Sequence, residues 1–200
     1  MDEKKEVSQK VTFPKLKLTV LEIRGYCYHN YKIGDELILK DFTHPPEDFC
    51  LGLSQSAFPC LYALTFGAKF PFMENTRSIN VTCPDNAKLT FKVEILDDAG
   101  NVIVEPRAEK PKGPNPKQLE IEVQETCGHC TFGYKPGDKW QVKGLKTPPE
   151  FCGAAYSVLF PVLFALNFGA KFTFEENEHC KTGTACPDGG HMKFKVRRIE

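Results

Sequence analysis

Phe66-Gly67-Ala68-Lys69-Phe70 and Phe168-Gly169-Ala170-Lys171-Phe172 are one pentapeptide written twice, 102 residues apart. Working outward, Ala63-Leu64 returns as Ala165-Leu166, Phe58-Pro59 as Phe160-Pro161 and Phe49-Cys50 as Phe151-Cys152. Further upstream the offset is 103: Tyr31-Lys32-Ile33-Gly34-Asp35 matches Tyr134-Lys135-Pro136-Gly137-Asp138, and Pro45-Pro46-Glu47 matches Pro148-Pro149-Glu150. Downstream, Cys83-Pro84-Asp85 matches Cys186-Pro187-Asp188, and Phe91-Lys92-Val93 matches Phe194-Lys195-Val196. Distinct motifs recurring in order predict two tandem units. Each is long enough for its own small core, so a solenoid is not expected. The boundaries read as a tail over 1–14, a first unit over 15–105, a proline-rich linker over 106–116 and a second unit over 117–200.

Within each unit the periodicity gives the elements. Leu16 to Ile23 alternates apolar and polar residues as a half-buried strand does, and Leu119 to Val123 is its twin. Gly34-Asp35 and Gly137-Asp138 turn into short strands, Glu36 to Leu39 and Lys139 to Val142. Pro-Pro-Glu reads as a helix start, because proline suits the first turn and glutamate suits the positive end of the helix dipole. Apolar helical stretches follow, from about Phe49 to Phe66 and from Phe151 to Phe168, with Gly67 and Gly169 as C-terminal stops. Pro59 and Pro161 inside these stretches predict a break into two abutting segments. Closing strands, Lys88 to Leu96 and Met192 to Ile199, complete a β-β-α-β order. Asp97-Asp98-Ala99-Gly100-Asn101 predicts a hairpin turn that leads into Val102 to Glu105. The expected fold is α+β: two pseudo-twofold-related copies of a small antiparallel sheet packed on a proline-kinked helix.

The chain has 26 basic and 26 acidic residues and no net charge, which excludes the positive excess of a general nucleic-acid binder. No apolar run reaches the ~20 residues of a membrane span. The charged start, Met1-Asp2-Glu3-Lys4-Lys5-Glu6, leads into no apolar segment of a secretory signal, so the expected location is cytoplasmic. Gly-x-Gly-x-x-Gly, P-loop and Gly-x-Ser-x-Gly motifs are absent from the sequence.

The nine cysteines carry the chemistry. In a reducing compartment a thiol is a buried small hydrophobe, a metal ligand or a nucleophile. Cys27, Cys50 and Cys83 of the first unit match Cys130, Cys152 and Cys186 of the second. Each set lies in a loop after the first strand, at the helix start and before the last strand. Loops at one end of a sheet can gather three thiolates, which with one more ligand make a tetrahedral zinc site or hold part of an iron–sulfur cluster. Cys127 would complete the second set, in Cys127-Gly128-His129-Cys130, whereas the first unit has Arg24 at that place and His29 nearby. The competing reading is six packing thiols with no cofactor. Cys127-x-x-Cys130 suits a redox pair poorly, because it follows a strand rather than opening a helix. Cys60, beside the helix proline, reads as core.

The pattern Gly-x-Cys, Lys-x-Gly-Asp, Pro-Glu-x-x-Cys, aromatic-Pro, Phe-Gly and Cys-Pro-Asp resembles a family of small uncharacterised proteins, mostly of anaerobic bacteria and archaea. These usually carry a single such unit. The first unit supplies Gly25, Cys27, Lys32, Gly34, Asp35, Pro46, Glu47, Cys50, Pro59, Phe66, Gly67, Cys83, Pro84 and Asp85. The second supplies Cys130, Lys135, Gly137, Asp138, Pro149, Glu150, Cys152, Pro161, Phe168, Gly169, Cys186, Pro187 and Asp188; it departs at His129, where the first has Tyr26, and is one residue shorter between Glu150 and Cys152. The resemblance implies a fold and an anaerobic setting but no reaction.

Repeated carboxylates, Asp35/Asp138, Glu47/Glu150, Glu74/Glu176 and Asp85/Asp188, could serve acid–base chemistry but sit where turns and helix starts need them. His179, Cys180 and His191 near Cys186 read as a solvated loop with opportunistic metal affinity. Phe66, Phe70, Phe72 and their twins read as core, with a pocket or subunit interface as the alternative. Two functional readings follow. One is a non-enzymatic binding or interaction module with a Cys-ligated metal and a protein partner or self-association. The other is a small enzyme or enzyme subunit using a Cys-bound metal or a cysteine nucleophile.

Overall fold

A computed structural model describes residues 12–109 and 116–199. The first unit comprises β1 (Leu16–Ile23), β2 (Glu36–Leu39), α1 (Leu51–Thr65), β3 (Ser78–Thr82) and β4 (Leu89–Ile95). The second comprises β5 (Gln118–Thr126), β6 (Lys139–Lys143), α2 (Gly153–Asn167), β7 (Cys180–Ala185) and β8 (Met192–Arg198). Both sheets are antiparallel and share one strand order, β2-β1-β4-β3 and β6-β5-β8-β7. Alternation does what the sequence promised: Leu16, Leu18 and Val20 are buried while Lys17 and Thr19 between them are only partly covered. The α+β class and the two similar halves are therefore as expected.

Each unit nevertheless has one more strand than the β-β-α-β reading allowed. β3 and β7 form one edge of each sheet, with β2 and β6 at the other. β7, Cys180-Lys181-Thr182-Gly183-Thr184-Ala185, has hardly any apolar alternation. Its register shifts between Lys181 and Thr184, which places the one-residue insertion of the second unit in a β-bulge.

The helix starts also differ from expectation. α1 and α2 begin after Pro-Pro-Glu, with Cys50 and Cys152 at the N-cap and no acidic residue in either first turn. Asp48 and Glu150 both have φ of 58°, a left-handed conformation that a helix cannot include. Asp48 rather than Glu47 is thus the structural twin of Glu150. The expected break at the prolines does not occur: each helix runs unbroken for 15 residues through Pro59 or Pro161. Leu53 and Ala57 before Pro59, and Leu61 and Leu64 after it, are all buried, so breaking the helix would lift one half out of the core. Burial of several such side chains, about 1.5–3 kcal/mol each, exceeds the ~3 kcal/mol an interior proline costs. Gly67 and Gly169 end the helices with φ of 87° and 83°, as their freedom from a Cβ allows.

The units join through the repeated pentapeptides. Lys69 N–H donates to the Phe168 carbonyl at 2.9 Å, and Lys171 N–H donates to the Phe66 carbonyl at 2.8 Å. Phe66 packs on Phe172 at 5.0 Å and Phe168 on Phe70 at 4.9 Å between ring centroids. This reciprocity is the signature of an isologous contact. Phe70 and Phe172 are fully buried there, whereas Phe72 and Phe174 are exposed. The expected hairpin is present: Asp97 N–H donates to the Asn101 carbonyl, and Leu96 bridges Val102. The strand end then runs along the first unit, with Thr76 N–H donating to the Glu105 carbonyl. Phe13, assigned to the tail from sequence, packs on Phe42 and Phe66. Residues 1–11 of the tail and 110–115 of the linker lie outside the described residues.

Candidate functional site

Matched bulges, between Val20 and Glu22 in β1 and between Val123 and Glu125 in β5, bend the strands just before their cysteine loops. The chain then turns at Cys27 or Cys130, whose carbonyl accepts from the N–H of Asn30 or Gly133. Lys32 N–H donates to the Asp35 carboxylate at 2.7 Å and Lys135 N–H to Asp138 at 2.8 Å. These two aspartates close their own turns, which accounts for their repetition. Asp85 is likewise tied to Lys88 at 2.7 Å.

A tyrosine organises each thiol set. Cys152 N–H donates to the Tyr134 hydroxyl at 2.8 Å, and that hydroxyl donates to the Glu150 carbonyl at 3.2 Å. Tyr31 lies near Cys27 and Cys50 in the first unit. The Tyr134 hydroxyl thus satisfies a backbone donor at a helix start that no side chain of the helix caps. Burial raises the Tyr31 and Tyr134 hydroxyl pKa values, the N–H bonds oppose that, and the nearby thiols Cys27 and Cys50, or Cys130 and Cys152, add to it. The third thiol is brought in by backbone pairing. Cys83 N–H donates to the Leu89 carbonyl and Cys186 N–H to the Met192 carbonyl. In the first unit a Cβ on Gly52 would lie 3.2 Å from Pro84 and 3.9 Å from the Cys50 sulfur, so the first turn of α1 abuts the Cys83-Pro84 loop.

The six matched cysteines, Cys27, Cys50, Cys83, Cys130, Cys152 and Cys186, are all half-buried at the rim of the core. Cys127 is exposed, its thiol donating to the Gly190 carbonyl at 3.3 Å. The unmatched Cys60 and Cys180 are buried, as expected for Cys60, and burial pushes the Cys60 thiol up to about 12. Among the described residues no three His, Cys, Asp or Glu side chains already stand where one metal ion could be held. The structure therefore brings each set of three cysteines to one end of its unit without forming a finished cage.

His191 takes a place that the sequence reading left to a solvated loop. Its carbonyl accepts from Cys127 N–H at 2.8 Å, and its Nδ1 lies 3.0 Å from the His129 carbonyl. A Cβ on Gly128 would fall 2.5 Å from the imidazole. Glycine at 128 is thus required for the Cys-x-x-Cys loop to lie against the ring. His179, in contrast, is turned to Arg198, whose guanidinium lies 2.9 Å from its Nδ1.

A concavity of about 520 Å³ runs between α1 and α2. Gln55, Phe58 and Pro59 line one side and their twins Ser157, Phe160 and Pro161 the other. The prolines supply no N–H to the carbonyls of Gln55 and Ser157.

No helix among the described residues is long and apolar enough to cross a membrane. Compared with family models, curated proteins and solved structures, the chain matches none.

Proposed function

We propose that the protein is a non-catalytic binding module whose thiol clusters take up a thiophilic ligand, a soft divalent metal ion being the chemistry they fit best. One contrast carries this reading. Free cysteine kept for packing is among the most buried residue types, as Cys60 and Cys180 are. The six cysteines that recur in both units are instead half-exposed, on loops and helix starts, and four of them lie beside a tyrosine. Metal uptake would draw thiols from three separate segments together, and so would couple binding to ordering of the loops. The resemblance to small proteins of anaerobes agrees with chemistry that depends on reduced thiols.

The test is purification without oxygen or chelator, followed by elemental analysis and alkylation of the native chain. Stoichiometric zinc or iron, with matched cysteines of at least one unit alkylated only after chelation, is the expected result. Protein free of metal whose matched thiols resist alkylation as Cys60 does would sink the reading and return these residues to packing.

A further inference from the structure

We infer that the two thiol clusters have diverged, and that the second unit alone holds a divalent metal ion, through Cys127, Cys130, Cys186 and His191. This rests on the thiol-binding reading but changes its ligand set: His191 replaces Cys152, and the first unit drops out.

The observation is a two-for-two exchange at structurally equivalent positions. Arg24 N–H donates to the Lys88 carbonyl at 2.6 Å, and Cys127 N–H donates to the His191 carbonyl at 2.8 Å. The same backbone bond thus joins the two loops in both units, which aligns Arg24 with Cys127 and Lys88 with His191. Where the second unit has a thiol and an imidazole, the first has a guanidinium bound to Glu22 and an ammonium bound to Asp85. The Lys88 ammonium lies near Cys27 and Cys83, where a cation opposes a divalent ion and cannot ligate it. A thiol and an imidazole are the ligands that such an ion selects.

The loops of the second unit also have the spacing of paired metal knuckles. Cys127-x-x-Cys130 faces Cys186-x-x-x-x-His191, and the pairing of β5 with β8 holds the two loops together. The Cys127 thiol already lies against the Gly190 carbonyl, and Gly190 N–H donates to the Cys186 carbonyl. His191 is oriented as metal-binding histidines are. Its Nδ1 meets the His129 carbonyl at 3.0 Å, a bond that fixes the proton on Nδ1 and leaves the lone pair on Nε2. His129 thus acts through its backbone from inside the Cys-x-x-Cys loop. Cys152 stands at the start of α2, outside the two loops that the pairing of β5 with β8 holds together. The four side chains do not surround one point, so binding requires the Cys127 thiol to leave the Gly190 carbonyl and turn toward the His191 ring.

The full chain, reduced and stripped with chelator, is titrated with Co²⁺ and followed by its thiolate charge-transfer and visible bands. One ion per chain is expected, with the same bands in C27S/C50S/C83S and in C152S. C127S and H191Q should each weaken binding about tenfold or more, and H191Q should shift the visible bands. Nitrogen-15 shifts of the His191 ring in the zinc-loaded wild type report the metal-bound nitrogen without any substitution, should a variant not fold. Two ions per chain, one ion lost in C27S/C50S/C83S, or unchanged bands in H191Q would overturn this assignment and leave the thiol-binding reading standing. No bound ion would overturn both.

Discussion

Replacing Phe172 with alanine should unfold both units, although Phe172 belongs to the second. Its ring is fully buried, and its neighbours across the pseudo-twofold are Phe66 at 5.0 Å and Tyr62 at 5.9 Å, both from the first unit. Truncating a buried phenylalanine typically costs about 3–5 kcal/mol, from lost transfer energy and the cavity left behind. About 0.5–1.5 kcal/mol of that belongs to the aromatic pair itself. For a chain of this size each kcal/mol lowers Tm by roughly 2–4 °C, so F172A should melt about 6–20 °C early. Calorimetry and urea unfolding are the assays, with tryptophan emission reporting Trp140 of the second unit and far-UV dichroism both. One cooperative transition, displaced as a whole, is expected. Its twin F70A should behave alike, since Phe70 packs on Phe168 of the other unit at 4.9 Å. Two transitions in F172A, one at the wild-type midpoint, would show that the units fold independently. A loss under about 1 kcal/mol would show that the reciprocal contact does not stabilise the pair.

Arg77 donates to the carbonyls of Ala68 at 2.7 Å and Leu64 at 3.2 Å, at the end of α1, so R77M should cost about 2–3 kcal/mol in urea unfolding. Burial works against the Asp41 carboxylate, but hydrogen bonds from Thr43 and His44 outweigh it and hold its pKa at about 2. The folded chain therefore binds fewer protons than the unfolded one between pH ~4 and ~2; this stability is full above pH ~4 and lost as pH falls through about 2. Acid titration of D41N should lack that slope, and an unchanged slope would discount the cluster. Native alkylation monitored by mass should leave Cys60 untouched until the protein unfolds, because its pKa of about 12 leaves almost no thiolate at neutral pH.

The sequence made the sheet strands and both helices legible wherever apolar periodicity was strong. Leu16–Ile23 and Glu36–Leu39 have the bounds their alternation implied. Of the edge strands, β3 was missed although Ile79-Asn80-Val81-Thr82 alternates, and β7 was missed because it carries Lys181, Thr182 and Gly183 in a bulge. The helix starts were misjudged for a conformational reason. Pro-Pro-Glu meets the local preferences of a first turn, yet left-handed Asp48 and Glu150 put the chain out of the helix until the cysteine N-caps. The prolines were read by their local cost, whereas burial on both sides of each decided the outcome. The matched cysteines could be found by aligning the repeats. His191 was legible only as part of a solvated loop with opportunistic metal affinity, since its twin is a lysine; the backbone bond to Cys127 is what places it beside that thiol.

A repeated fold separates what packing demands from what the loops are free to do. Core twins keep their character: Leu18 with Ile121, Val20 with Val123, Phe91 with Phe194 and Val93 with Val196 are all buried apolar residues. The loop twins Arg24/Cys127, Tyr26/His129 and Lys88/His191 change charge and ligand type while the backbone bond beneath them stays. The fold therefore does not require either chemistry, and the second cluster should be transferable to the first. R24C/K88H removes two exposed ion pairs, with Glu22 and Asp85, and solvent screening leaves such pairs little weight in stability. Gly25 already provides the space that Gly128 gives to His191, because its nearest neighbour is the Lys88 side chain at 3.3 Å from a hypothetical Cβ. The variant should fold and bind two Co²⁺ per chain, where the wild type binds one. A folded R24C/K88H that still binds one would mean that loop shape, and not these two side chains, separates the clusters.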